Sequence, residues 1–388
     1  MAGFHHTSVT DVRDLPAAAA TRASFDVERL AGYVSMETPS GDRPALDGFA
    51  DRLCADLAMA RASARTVPLP HGDLLVADLP GRGPAADQPP AVLLAHHDTV
   101  HPAGSLAGPV PLRRDGDLLY GPGVYDMKGG LVVALAALEL LGRLPHRPVR
   151  LILTPDEEVG SPSSASTVLA EAAGAAYALG LEPPHPDGAL TSGRMGSTRW
   201  RVETVGRAAR AGFEGGAGVN AIDELVDQLA SVRQIVARHP GALVNLGTIT
   251  GGGDTDVVPG TAHADLGFRF ADSDTEEQVL AALSELGAVR TGATVVSRAL
   301  ARRPAWEPSA DTADLLSAVV VAGSRVGQQV DARPSSGAAD TNLTGAASIA
   351  SLDGFGPLGA GAHTPREHID LTTLPGRVAL LAAVLATV

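Results

Sequence analysis

The sequence predicts an α/β architecture in which a larger sheet domain is interrupted by a smaller inserted one, and three observations carry that prediction. From Asp26 onward helical and strand patterns alternate; several strand candidates are continuous apolar runs of the kind buried on both faces; and between Ser197 and Arg303 the order becomes β-α-β-β-α-β, the split unit of ferredoxin-like domains. The boundaries that follow are 1–196 with 304–388 for the larger domain and 197–303 for the insert. The first 24 residues, weakly periodic, are read as an N-terminal extension.

A helix is expected around Phe25–Tyr33, a turn at Pro39–Asp42 and a second helix through Leu53. Strands follow at Leu74–Ala77 and Ala91–Ala95. The segment Gly129–Leu144 is apolar nearly all round, which suits a helix buried against a sheet. VRLILT and AAYALGL are the next strands. In the insert, RWRVETVGR alternates as a strand, NAIDELVDQLASVRQIVARH is amphipathic, ALVNLGTITGG and AHADLGFRFA are strands, TEEQVLAALSEL is a helix and ATVVSRALA a last strand. A helix at Thr312–Val326, a strand at Ala347–Leu352 and a helix from Leu371 return to the first domain. No internal repeat interrupts this order.

With 388 residues and 45% hydrophobic content the chain can bury a large core, and its length exceeds one ordinary domain. Aromatics are only 3%, so that core must be aliphatic, which favours helices on a sheet. A net charge of -14 argues against nucleic acid or an anionic membrane as partner. A single cysteine, Cys54, rules out an intramolecular disulfide and a cysteine-rich zinc site, leaving His and carboxylates for any metal. The start of the chain lacks the charged-then-apolar pattern of a signal peptide, and no run reaches the length of a membrane span, so a soluble cytoplasmic protein is expected.

Acids and histidines recur where hydrophobic strands end, and ligands of open α/β sheets bind outside the carboxyl ends of strands. AVLLAHHDTV delivers His96 and, two residues on, Asp98; alternation points both the same way, so that one can bind metal while the other orients it. His97 is then the outward neighbour. An isolated His-x-Asp is more commonly an ordinary strand-end turn. LYGPGVYDMKGG places Asp126 after a Gly-Pro-Gly turn and before a helix, where a lone acid is usually a cap. LILTPDEEVGS runs a buried strand into Asp156, Glu157 and Glu158, a crowding of like charge that is costly without a cation. GLEPP adds Glu182, and GAHTPREHID puts His363 in a glycine-rich loop. Two histidines, two terminal carboxylates and one bridging carboxylate would hold two zinc ions around a shared water, with one acid left over as a base.

In order and spacing, ETPSGD, HHDTV, GPGVYDMKGG, TPDEEVGS, LEP, RMG, GVNAI, DVVPG, FRF, RRPAW and AHTPREHI resemble the di-zinc aminoacylases and carboxypeptidases that include carboxypeptidase G, acetylornithine deacetylase and succinyl-diaminopimelate desuccinylase. The resemblance covers nearly the whole chain after about residue 25. It implies an aminopeptidase-like mixed-sheet catalytic domain, an inserted lid that mediates homodimers, and cleavage of an amide bond in an N-acyl amino acid or small peptide bearing a free carboxylate. Asp126 would bridge two zinc ions, His96 and Glu182 completing one and Glu158 and His363 the other. Glu157 would be the general base and Asp98 the acid that orients His96. Cobalt and manganese accept the same ligands. Arg269 and Arg303 match positions that receive the substrate carboxylate, a task suited to the guanidinium fork. Ser336 and Gly337, with Ala338, fall on a turn lining the substrate pocket.

The chain departs from the family pattern at two places. GRAARAG carries Arg210 where a lid histidine normally steadies the oxyanion, and Asp256 replaces an asparagine before Val-Val-Pro. Removing an oxyanion donor costs about a hundred- to a thousandfold in rate, so Arg210 must take over or the reaction differs. Opposite charges at 210 and 256 invite a pair. Two other readings therefore stand beside hydrolysis: acyl transfer or cyclisation on the same metals, and a silent relative that binds metal or metabolite. Retention of Glu157 favours an enzyme.

Overall fold

The computed structural model describes residues 9–212 and 216–388. The chain divides into two compact units, one made of the chain up to Gly193 with Pro308–Ser335 and Ala339–Val388, the other of Arg194–Glu307 with Ser336–Ala338.

The first unit is built on a six-stranded sheet in the order Ser63–Leu69, Gly72–Leu79, Val149–Thr154, Ala91–His96, Tyr177–Gly180, Ser351–Leu352. The last four run parallel and the first two are antiparallel to their neighbours, so the sheet is mixed. The central strand Ala91–His96 is buried along its whole length. Its alternate residues face two cores: Ala91, Leu93 and Ala95 belong to the one that includes the helices Leu15–Val34, Gly129–Leu141 and Leu374–Thr387, whereas Val92 and Leu94 belong to the one that includes Val168, Ala172 and Leu343. That two-sided burial is why the sequence shows an unbroken apolar run. Every residue of Gly129–Leu141 is buried except Glu139, which is partly so.

Four parallel strands put four carboxyl ends on one edge, and these are where His96, the 155–158 loop, Glu182 and Asp353 emerge. A separate small antiparallel sheet, Gly359–Ala360, His368–Asp370, Leu118–Tyr120 and Arg113–Asp115, carries the loop of His363 between its first two strands.

The second unit is a four-stranded antiparallel sheet in the order Ala242–Gly251, Thr261–Phe270, Gly196–Val205, Thr294–Arg303, the order of a ferredoxin-like domain. Val202, Ala264, Leu266, Phe268 and Phe270 form its core with Leu225 and Val232 of helix Ala221–Ala237 and Val279 and Leu283 of helix Ser273–Ser284. Both helices start on side-chain caps: Asn220 accepts from the Ile222 amide at 2.9 Å and Asp272 from Thr275 at 2.7 Å.

Several elements differ from the sequence expectation. The helix expected at Phe25 begins at Leu15, and Val9, Leu15, Ala18 and Ala19 are all buried, so the supposed extension joins the core from Val9 on; residues 1–8 lie outside the described residues. Ser63–Leu69 is an additional edge strand, and the strand expected over 347–352 is only Ser351–Leu352. The final helix starts at Leu374 rather than Leu371.

Candidate metal centre

At the end of the central strand, His96 is almost wholly buried. Its Nδ1 lies 3.0 Å from the Asp98 carbonyl oxygen and 3.4 Å from the Asp98 carboxylate. Both partners only accept, so Nδ1 carries the proton and Nε2 is the nitrogen open to a cation. Nε2 faces Asp126 Oδ1 at 3.0 Å and Glu182 Oε1 at 3.7 Å. Asp126 enters from a turn in which Gly123 has φ 69°, where a Cβ would stand 2.4 Å from Thr99 Cγ2. Its other oxygen, Oδ2, is 3.2 Å from His363 Nε2, and that nitrogen is 3.1 Å from Glu158 Oε2. One carboxylate therefore addresses two imidazoles, each with its own terminal acid.

Glu157 is buried and offers a carboxylate oxygen within 4.8 Å of ligand atoms of His96 and Glu182. The loop carrying both glutamates is held by Asp98, which accepts from the Glu157 amide at 3.1 Å, the Glu158 amide at 3.2 Å and Ser40 Oγ at 2.7 Å.

Charge crowding sets the proton affinities. Burial and the neighbouring Asp126 push Glu182 well above the carboxylate range, and burial, opposed by the His363 hydrogen bond, also raises Glu158. Burial opposes ionisation of Asp126, yet hydrogen bonds from His363 and His96 hold it below its usual value. Hydrogen bonds to Asp126 and Glu158 raise His363 to about 11. For His96, burial is outweighed by Asp126 and Asp98, and the ring rises well above its ordinary value. His97, the expected outward neighbour, is instead fully buried against Phe49, and burial lowers it to about 4.

The first unit thus gathers His96, Asp98, Asp126, Glu157, Glu158, Glu182 and His363. The remaining residues picked out by the sequence lie in the second unit. Arg269 and Arg303 sit on strands that flank Ser197 from opposite sides; burial and then the charge of Arg303 lower the Arg269 guanidinium. The Arg194 guanidinium donates to the Gly337 carbonyl at 2.9 Å, beside Ser336. Arg210 is exposed on the strand Ala209–Arg210, paired with Val257–Val258, and the Ala211 amide donates to the Asp256 carbonyl at 2.9 Å. Asp340 and Glu367 are buried acids that the sequence reading did not pick out. Asp340 accepts from Thr154 Oγ1 at 2.7 Å and from Ser161 Oγ, on either side of the glutamate loop. Glu367 accepts from backbone amides of the Asp126 turn. Each is a single acid in a loop, and their only signal is proximity in sequence to a candidate ligand or strand end.

The family model of Peptidase family M20/M25/M40 matches residues 92–387. The chain belongs to that family. Carboxypeptidase G2 of Pseudomonas sp. (strain RS-16) is 28% identical over 370 residues, covering 92% of this chain and 87% of that protein. Among solved structures, an M20 family metallo-carboxypeptidase from Sulfolobus solfataricus superposes with TM-score 0.72 at 15% identity, covering 93% of this chain and 98% of that one. A dinuclear metal-binding M20 peptidase from Bacillus subtilis gives TM-score 0.62 at 16% identity, over 95% and 98% of the two chains. These structural likenesses show the fold. As an M20 peptidase this chain is a metallohydrolase of amide bonds, on the α/β architecture with an inserted antiparallel domain expected from its sequence.

Proposed function

We propose that this M20 peptidase cleaves an amide or peptide bond beside a free carboxylate in an N-acyl amino acid or small peptide, with two zinc ions and Glu157 as general base. The observation that carries the reading is Asp126, whose two oxygens face His96 and His363 separately. The donor set fits a pair of divalent cations: Glu158 Oε1 is buried with no hydrogen-bond partner among the described residues, and Glu182 is a partly buried acid among like charges. His96, Asp126 and Glu182 would hold one ion, and Asp126, Glu158 and His363 the other; cobalt and manganese suit the same donors. Such ions supply Lewis acidity that polarises the scissile carbonyl and acidifies water.

Glu157 takes a proton from the attacking water and passes it to the departing nitrogen. Asp98 fixes the His96 tautomer and, through two amides, the placement of Glu157. Arg269 and Arg303 bind the substrate carboxylate, a pair of adjacent cations that an anion would relieve. Arg210, with Asp256 beside it, serves as oxyanion donor, and Ser336 and Gly337 line the substrate site. A homodimer through the second unit is supported by exposed Leu243, Ile249 and Val296 on its sheet. No described helix is long and apolar enough to cross a membrane, and we assign the enzyme to the cytoplasm.

Metal analysis of the purified protein and turnover of N-acyl amino acids and dipeptides by Glu157→Gln test the reading together. Two equivalents of metal and a loss of about 10²–10⁴-fold in kcat are expected. Undiminished turnover would remove Glu157 from its role; stoichiometric metal with no turnover by the unaltered protein would favour a silent relative.

A further inference from the structure

Glu367 is 1% exposed, and its carboxylate accepts four hydrogen bonds. Oε1 takes the amides of Tyr125 at 2.9 Å and Asp126 at 3.0 Å; Oε2 takes the Gly123 amide at 3.2 Å and His101 Nε2 at 2.6 Å. A carboxylate has about four acceptor positions, so this one is filled. Its partners belong to two segments: 123–126, which ends in the bridging acid, and 96–101, which begins with His96. Glu367 itself lies four residues beyond His363, and turn bonds from Thr364 N to the Gly361 carbonyl and from Glu367 N to the Thr364 carbonyl join it to that histidine's loop.

We infer that Glu367 is the positioning residue of the metal centre, a single buried carboxylate that fixes the separation of the segments bearing His96, Asp126 and His363. The inference rests on the two-metal reading above and assigns to that site a residue outside its ligands and base. Charged acceptors on backbone N–H groups make the stronger class of hydrogen bond, and two of the four land on Asp126 and the residue before it. Loss of Glu367 leaves three amides, those of Gly123 and Tyr125 buried, and His101 without their acceptor, and the Asp126 turn is then free to relax away from the two imidazoles.

The chemistry of the side chain predicts a graded series. A glutamine can keep its oxygen on the Tyr125 and Asp126 amides, but its NH2 then meets the Gly123 N–H, donor against donor, and His101 must switch tautomer to accept. Glu367→Gln therefore retains part of this hydrogen bonding, Glu367→Ala none of it, and His101→Gln loses one bond of the four.

Titration of chelator-stripped protein with zinc, read by competition with a chromophoric chelator, measures the effect apart from activity. The unaltered protein is expected to take two equivalents. Glu367→Ala should bind at least one of them about 10- to 100-fold more weakly, with Glu367→Gln intermediate and His101→Gln nearest the unaltered protein. At saturating metal, kcat should fall in the same order while KM moves less than about threefold. Far-ultraviolet circular dichroism and the metal-free Tm accompany each variant; should Glu367→Ala fail to fold, Glu367→Gln carries the comparison. Unchanged zinc affinity in the folded variants, even with a lowered Tm, would overturn the inference and leave Glu367 a stabilising residue only. Fewer than two equivalents in the unaltered protein would instead overturn the two-metal reading, and this inference with it.

Discussion

His97 gives a prediction whose size can be worked from its surroundings. The ring is 1% exposed, neither nitrogen has a hydrogen-bond partner among the described residues, and burial, partly offset by Asp98, lowers its pKa from 6.5 to about 4. Above pH 6.5 the imidazole is neutral in both folded and unfolded chains and contributes nothing to pH dependence. Between 6.5 and 4 the unfolded chain takes up a proton that the folded chain refuses, so stability falls with pH; below 4 the penalty levels off. The interval of 2.5 units, 6.5 minus 4, corresponds to about 3 kcal/mol. Leucine at this position removes the titration and two unpaired nitrogens, so His97→Leu should be neutral or stabilising at pH 7. Urea unfolding of metal-free protein at several pH values between 7.5 and 4.5 provides the test, because the other titrating groups are common to both proteins and cancel in the difference. The stability gap should widen by about 2–3 kcal/mol in favour of His97→Leu at the acid end, with unchanged m. Parallel pH profiles would show that His97 carries no such penalty and refute the reasoning.

Three further perturbations probe other parts of the molecule. Arg210→His should raise turnover of ordinary N-acyl amino acids about tenfold or more if the arginine has specialised the oxyanion donor, and steady-state kinetics on a substrate panel would show no change if Arg210 is remote from the chemistry. Glu139→Ala should cost about 3–5 kcal/mol in denaturant unfolding, because the Glu139 side chain, itself only 5% exposed, is paired with the buried Arg22 and, at 2.7 Å, with Arg29; a loss below about 1 kcal/mol would mean that the cations find other partners. Gly130→Ala places a Cβ 2.1 Å from the Leu181 carbonyl oxygen, which is backbone and cannot swing aside. It should lower stability by about 3 kcal/mol and weaken zinc binding through the adjoining Glu182, both measurable by thermal unfolding with and without zinc.

What the sequence revealed and what it hid follow from the same physics. The parallel strands were legible because both faces are buried, and the insert because Thr261–Phe270 alternates strictly while Ala221–Ala237 shows a helical stripe. Leu15–Val34 was truncated because its buried face includes Arg22, Asp26 and Arg29, which in a sequence look like a solvent face but are the members of a buried ion network with Glu139. Ser63–Leu69 is an edge strand with mixed exposure and a proline at 68, so neither period appears. The small sheet around His363 uses strands of two or three residues, too short to show alternation. At the site, acids that follow apolar strands stood out, whereas Asp340 and Glu367 are single charges in loops whose partners are distant in sequence.

That difference divides the acids of the centre into two kinds. Asp126, Glu158 and Glu182 turn their oxygens toward imidazoles and toward one another, an arrangement that repels itself until cations arrive. Asp98, Asp156, Asp340 and Glu367 turn theirs toward N–H and O–H donors. Asp98 and Asp340 bracket the glutamate loop, Asp156 accepts from the Ser163 amide at 2.8 Å and from the Ser163 and Ser164 hydroxyls, and Glu367 grips the Asp126 turn. The second group satisfies its own buried charge with strong hydrogen bonds, and those bonds fix the backbone from which the first group projects. A carboxylate cluster that would otherwise spread apart is thereby held together by other carboxylates, which is how so acidic a centre can be preorganised for the metal ions proposed for it.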